Sequence, residues 1–418
     1  MTVSKMAQTL IGSEIIKVAG EVNAMIAKGE PICNLTIGDF NPSIYPIPDE
    51  LRQEITLAYE QGHTNYPPAN GVAVLRKAVV DFTQERLGLT YPENDILVAG
   101  GSRPLIYATF MALIDPGDKV VYPTPSWNNN HYCHLSGATP VEITTRPENN
   151  FMPTAADVKP HLKGATMLAL CSPLNPTGTM FSKKDLEEIC DLVLEENRSR
   201  AEGEKPLYVM YDQIYWMLTF GAAEHYDPVS LRPEIRDYTI YIDGTSKCFA
   251  ATGVRVGYAF GPTIVMDKMK SILGHIGAWA PKAEQMAMAE FLNQSQAVDS
   301  FMDDFKPKIQ SSLEVLYNGF QQLKSEGFNV DAIEPMGAIY LSVKIDLAGK
   351  TTPEGQVMKT SQDVTFYVLH QAKLAIVPFS AFGSSRDLNW FRLSVGGASL
   401  DDIKASISRL KEALQKLN

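Results

Sequence analysis

A lysine and an arginine eight positions apart, Lys247 and Arg255, lie in the run DGTSKCFAATGVRVGY at residues 243–258. A buried lysine amine loses its proton more readily than a solvated one and becomes a nucleophile toward carbonyl groups. An arginine offers a planar fork of donors suited to a phosphate, and Gly253 lets the chain turn tightly just before it. The pair therefore suits covalent capture, as a Schiff base, of an aldehyde cofactor that carries a phosphate. Pyridoxal 5'-phosphate has both groups. An isolated Ser-Lys pair followed by an arginine is far more often an exposed loop, so the rest of the chain has to decide.

Four other segments contain groups that such a cofactor needs. Gly100, Gly101 and Ser102 in VAGGSRPLIYATF fall between a strand pattern and a helix pattern, where backbone N–H groups and a hydroxyl face a phosphate; most such turns are only turns. Trp127 follows the strand-like VVYPTPS, and its indole is either a stacking plate for an aromatic ring or ordinary core. Asp212 ends the apolar run YVMYD, where a carboxylate either pairs with a protonated pyridine nitrogen or caps a helix. Arg392, amid the apolar residues of NWFRLSV, needs an anionic partner, either a substrate carboxylate or an internal acid.

SK-x-[FY]-A-x-x-G-x-R-x-G-Y, together with N-P-T-G at 175–178 and D-x-x-Y at 212–215, closely resembles the class I and II aminotransferases. These are the fold type I pyridoxal-phosphate-dependent enzymes of the aspartate aminotransferase kind. The resemblance spans roughly residues 10–415. It implies Lys247 as the catalytic Schiff-base residue, flanked by Ser246. Gly101, Ser102 and the amide of Arg103 form the phosphate cup with Arg255, and Trp127 stacks on the ring. Asn175 and Tyr215 then hydrogen-bond the phenolic oxygen, while Asp212 pairs with the ring nitrogen. Arg392 and Gly38 bind the substrate α-carboxylate, although the usual G-x-P-D-F around Gly38 reads GDFNPS here. Tyr66, in the Y-x-x-x-x-G-x-x-x-L-R pattern, reaches the cofactor phosphate of a neighbouring subunit, which implies a homodimer with shared sites.

The elements that must position these groups follow from pattern. DILVAG, DKVVYP, TPVEIT, ATMLALC, LYVMYD and YTIYIDG alternate with amphipathic helical stretches, a rhythm that predicts an open, mostly parallel α/β sheet flanked by helices. A smaller α+β unit follows residue 300. The resemblance adds that the N-terminal segment 1–48 joins this small domain (301–418), leaving 49–300 as the large cofactor-binding domain.

A chain of 418 residues exceeds what one core usually organises. Its net charge of -11 argues against a nucleic-acid surface, which needs a positive stripe. Five cysteines without CxxC spacing fit reduced thiols in a cytoplasm. No uninterrupted apolar stretch approaches the roughly 20 residues that span a bilayer, so neither a membrane nor a nucleic-acid partner is expected. His131 and His134 around Cys133 lack a second ligand pair, and no metal is expected.

The expected activity is transfer of an amino group from an L-amino acid to a 2-oxo acid by ping-pong kinetics. No Arg or Lys lies between Ser271 and Pro281, where dicarboxylate-preferring relatives place a cation, so an apolar or aromatic donor is at least as plausible as an acidic one. Arg386 and Asn128–Asn130 are other polar groups that an acidic substrate could use. A carbon–sulfur β-lyase and a cyclopropane-forming synthase remain alternatives on the same frame, because all begin with loss of the Cα proton. A non-catalytic pyridoxal-phosphate-binding regulator is a more distant one.

Overall fold

The computed structural model describes residues 3–10, 12 and 14–417. The outermost residues of segments 1–48 and 301–418, namely 1, 2 and 418, lie outside that set, as do 11 and 13. Thirteen strands are present among the described residues: β1 (Cys33–Asn34), β2 (Ile96–Ala99), β3 (Lys119–Thr124), β4 (Thr139–Thr144), β5 (Ala165–Cys171), β6 (Tyr208–Asp212), β7 (Thr239–Gly244), β8 (Gly257–Phe260), β9 (Val330–Ala332), β10 (Tyr340–Ile345), β11 (Leu374–Ala375), β12 (Val377–Pro378) and β13 (Trp390–Ser394).

A seven-stranded sheet in the order β2-β8-β7-β6-β5-β3-β4 forms the centre, and all its pairings are parallel except those of β8. Each of the six runs read from sequence is a strand of this sheet. The seventh, β8, was hidden in VGYAF behind the lysine segment. Being antiparallel to both β7 and β2, it brings the chain back toward the edge that β7 has just left. Arg255, directly before β8, therefore arrives at the same sheet edge as Lys247, directly after β7.

Alternation along the strands buries both faces. Val98, Leu168, Val209, Tyr211 and Tyr241 point into one core with the Ala73–Leu87 and Lys183–Ser199 helices. Leu97, Ala99, Met167, Met210 and Ile242 point into a second core with the Ser102–Leu113 and Thr263–Ile276 helices. Each fully buried Leu or Ile here is worth about 1.5–3 kcal/mol, so covering both faces makes the sheet a rigid base for whatever its edge holds. The Lys183–Ser199 helix begins where the Ser182 hydroxyl accepts from the Asp185 N–H at 3.1 Å.

A four-stranded antiparallel sheet in the order β12-β13-β10-β9 follows the 31-residue Ser295–Ser325 helix. β1 pairs in parallel with β11, linking Cys33–Asn34 to the C-terminal region. The two parts meet at Gly178, which has φ +71°; a Cβ there would lie 2.0 Å from the Tyr340 carbonyl oxygen. Its own carbonyl accepts from Met336 N and Gly337 N at 3.1 and 3.0 Å. Gly178→Ala is therefore expected to cost about 2–3 kcal/mol through strain and overpacking, read as a lower thermal midpoint.

The five cysteines are unpaired; four are buried and Cys171 is partly so. No group of three metal-ligating side chains occurs among the described residues, and none of their helices is long and apolar enough to cross a membrane.

Candidate active site

The parallel strands all end at one edge of the large sheet, and a cavity of about 700 Å³ opens there, beneath residues of the four-stranded sheet. Open α/β sheets bind ligands in this position because successive loops diverge beyond the carboxyl ends of the strands. The loop after β3 carries Trp127, that after β5 Asn175, that after β6 Tyr215, and that after β7 Ser246 and Lys247. All five line the cavity, as do Asp212, Ser102, Arg103, Arg255, Gly38 and Arg392. Residues predicted from scattered motifs are thus brought together by one sheet edge.

The Lys247 amine donates to the Gly38 carbonyl at 2.5 Å and lies 5.9 Å from the centres of the Phe40 and Tyr215 rings. Burial pushes its pKa down to about 8, against the attraction of Asp39 and with help from Arg392, Arg103 and Arg255. A substantial neutral fraction near neutrality follows. Burial likewise raises Asp212 to about 6, opposed by the Ile214 N–H at 3.1 Å and by Lys247. Its carboxyl group remains mostly ionised at pH 7 and above.

At the other end of the cavity, Gly101 caps the Ser102–Leu113 helix with φ +93°, and no side chain closes the first turn. Exposed first-turn N–H groups and the positive end of the helix favour an anion here. Arg255 takes a left-handed backbone, φ +61°, that costs a non-glycine residue roughly 1 kcal/mol. That conformation aims its guanidinium at the same turn, where it donates to the Gly100 carbonyl at 2.7 Å and the Thr252 carbonyl at 3.0 Å. Gly101 stands behind the guanidinium, since a Cβ would come within 2.3 Å of it. Gly257, whose Cβ would meet the Gly101 carbonyl carbon at 2.4 Å, lets β8 pack directly under the turn.

Arg392 is 2% exposed, yet among the described residues no carboxylate bonds it or acts on its charge. It donates to the Thr36 carbonyl and, at 3.1 Å, to Asn175 Oδ1; its Nε has no partner. The Tyr340 and Phe382 rings lie 4.8 and 4.9 Å from the guanidinium carbon. The internal-acid alternative is thereby removed. A buried cation with unused donors that faces a cavity is prepared for an anion from solution.

Several pocket residues had no mark in the sequence. Tyr340, in the strand-like AIYLSVKI, is 1% exposed, and its hydroxyl lies 2.6 Å from that of Tyr215. Asp39 accepts from the Thr252 hydroxyl and from Phe40 N. Arg103 contributes more than an amide, because its guanidinium lies over the Trp127 ring at 4.5 Å. A tyrosine in an apolar strand looks the same whether or not it faces a cavity, and the motif at 100–103 pointed only to the Arg103 amide, so no sequence signal marked either side chain. Tyr66 stands outside the cavity, 80% exposed, and packs edge-on against Trp279 with ring centres 5.1 Å apart.

With this geometry in view, comparison with known proteins is decisive. The family model described as "Aminotransferase class I and II" matches residues 30–410. The chain belongs to the class I and II aminotransferases. This aminotransferase is similar to the aspartate aminotransferase of Rhizobium meliloti (strain 1021), at 29% identity over 97% of the chain and 94% of the relative. It also resembles a Petunia hybrida protein named bifunctional aspartate aminotransferase and glutamate/aspartate-prephenate aminotransferase, at 30% identity over 96% of the chain and 80% of the relative. Among solved structures, the aspartate aminotransferase from Rhizobium meliloti superposes with a TM-score of 0.91 at 27% identity, covering all of both chains. The enzyme from Thermus thermophilus with maleate gives 0.87 at 25% identity, covering 99% of this chain and all of that one.

Proposed function

We propose that the cavity holds pyridoxal 5'-phosphate on Lys247 and that the aminotransferase uses it to move an amino group from an acidic L-amino acid to a 2-oxo acid. The cofactor supplies an aldehyde for capture by amines and a ring that withdraws electrons from the substrate Cα. The observation that carries this reading is the Lys247 amine, buried and pushed down to about 8, at the centre of a cavity whose ends offer two separate anion sites. The donor set fits the group. Arg255 and the first turn of the Ser102–Leu113 helix would take the phosphate, in a cradle open only because residue 101 is glycine.

Trp127 would lie against the ring, Asp212 would face its nitrogen, and Asn175 and Tyr215 would donate to its phenolic oxygen. Asn175 accepts from Arg392 through Oδ1, which leaves its NH2 end to donate. Arg392 and the Gly38 backbone would hold the substrate α-carboxylate and so fix the direction of the Cα–H bond. Lys247, once displaced by the substrate amine, would take the Cα proton and return it to the former aldehyde carbon of the cofactor, on the other side of the nitrogen. Ser246 would support the lysine turn.

Arg103 favours an acidic donor over an apolar one. Its guanidinium lies over Trp127 and lines the same cavity as Asn128 and Asn129, so it would offer a distal carboxylate a cation in place of one in 271–281. The names of the aspartate aminotransferase relatives support the same choice. Steady-state assays of amino donors with 2-oxoglutarate test it: aspartate or glutamate should exceed leucine and phenylalanine in kcat/KM by at least about 10-fold. A preference for phenylalanine would sink the acidic assignment, and pyruvate release without an acceptor would indicate a lyase instead.

Exposed Tyr66 fits a second subunit whose cofactor phosphate it would reach, so a homodimer with shared sites is part of this reading. Sedimentation at micromolar concentration would show it.

A further inference from the structure

Tyr340 touches both halves of the site. Its hydroxyl is 2.6 Å from the Tyr215 hydroxyl, with the two rings edge-on at 5.5 Å. Its ring lies 4.8 Å from the Arg392 guanidinium carbon. A Cβ on Gly38 would come within 2.5 Å of its hydroxyl oxygen. β10 and β13 pair with Tyr340 opposite Ser394 and Ser342 opposite Arg392, so Tyr340 and Arg392 are diagonal neighbours on adjacent strands. One side chain thus contacts the carboxylate arginine, the carboxylate glycine and the tyrosine assigned to the cofactor oxygen.

A tyrosine hydroxyl has one proton and two acceptor sites. If Tyr215 spends its proton on Tyr340, it cannot donate to the cofactor. If Tyr340 is the donor, the Tyr215 proton is left for the cofactor and its direction is set. The Arg392 cation against the Tyr340 ring favours the second arrangement, because positive charge makes the nearer phenol the better donor.

We propose that Tyr340 donates its hydroxyl proton to the Tyr215 oxygen and so commits the Tyr215 proton to the cofactor's phenolic oxygen, acting as a positioning residue that ties the carboxylate site to the cofactor. This rests on the cofactor reading above. The charged and titratable groups that act on the Tyr215 hydroxyl are Tyr340, Cys171 and Arg392, with the Lys247 amine 5.9 Å from the ring centre; Asp39 acts on Tyr340 against Arg392. An occupant of the Arg392 site would therefore act on the cofactor through the Tyr340–Tyr215 bond as well as through space.

The test is the pH titration of the visible absorption band of the holoenzyme. A donor to the phenolic oxygen stabilises its deprotonated form and lowers the midpoint, so weakening that donor raises it. Tyr340→Phe should raise the midpoint by about 0.5–1 unit, the worth of one hydrogen bond. Tyr215→Phe should raise it further, and adding Tyr340→Phe to Tyr215→Phe should change it by less than about 0.2 unit, because the path through Tyr215 is gone. The apoenzyme's thermal midpoint serves as the folding control. Gly38→Ala, whose added Cβ would crowd the same hydroxyl, should move the titration in the same direction and covers the case in which Tyr340→Phe does not fold. An unmoved midpoint in Tyr340→Phe, or an equal shift with and without Tyr215, overturns the inference while leaving the cofactor reading intact. A wild-type protein with no visible band in pyridoxal phosphate overturns both, and an unmoved midpoint in Tyr215→Phe overturns the inference together with the Tyr215 assignment.

Discussion

Lys247→Ala should lose transamination by about 10⁴-fold or more, because on the proposed reading one side chain would be both covalent anchor and proton carrier. The same variant should lose the visible band of bound pyridoxal phosphate. After borohydride reduction its intact mass should show no cofactor adduct, whereas the wild type should carry one. An adduct of equal yield on another lysine would sink the assignment. The reaction also has a predicted pH course. Burial disfavours the ammonium form and sets its pKa at about 8, so the nucleophilic amine is the minor form below that pH and the major form above it. Uptake of pyridoxal phosphate by apoenzyme should accelerate roughly tenfold per unit up to about pH 8 and then level off. Stopped-flow absorbance would follow this, and a rate flat from pH 6 to 9 would contradict the buried-amine account.

Arg392 should give the second largest effect. A buried guanidinium that grips a carboxylate with two donors is worth about 2–5 kcal/mol, so Arg392→Ala should reduce kcat/KM by roughly thirty- to several-thousand-fold. Arg392→Lys should recover little of it, since an ammonium has no planar fork and reaches a different point. The loss should appear for every amino donor, unlike that of Arg103→Ala, which should fall mainly on donors with a distal carboxylate. Stability should behave differently from activity. Arg392 is buried with no counter-charge among the described residues, so Arg392→Met removes an expensive buried cation and fills its volume. Its thermal midpoint should be no lower than that of wild-type apoenzyme. A fall of many degrees would show that Arg392 is chiefly structural and would weaken its assignment to substrate.

Much of the site was legible because its chemistry uses residue types at strand ends, where pattern is readable. Lys247, Asn175, Asp212 and Trp127 each follow a run of β-formers, and parallel strands deliver such positions to one edge without further information. Tyr340 and the Arg103 guanidinium were not legible in this way. One looked like any strand tyrosine and the other like any first-turn residue, and which direction each faces depends on a neighbour far away in sequence. β8 escaped because GYAF, unlike the equally short ILVA of β2, has no β-branched residue to mark a strand.

Sequence alone determined the type of chemistry: a lysine, an aspartate and two arginines in family order, on an alternating β/α pattern. Tertiary structure decided how these groups meet. The reversed direction of β8 carries Arg255 back beside Gly101, and packing of the four-stranded sheet over the cavity sets Tyr340 against Tyr215 and Arg392. It also set the Arg103 guanidinium over the Trp127 ring in the cavity, where the sequence had pointed only to the Arg103 amide. The physical reason is the same in each case. Residue type sets what a group can do, but its pKa, partners and reach are properties of the surroundings, and those surroundings come from segments up to hundreds of residues away.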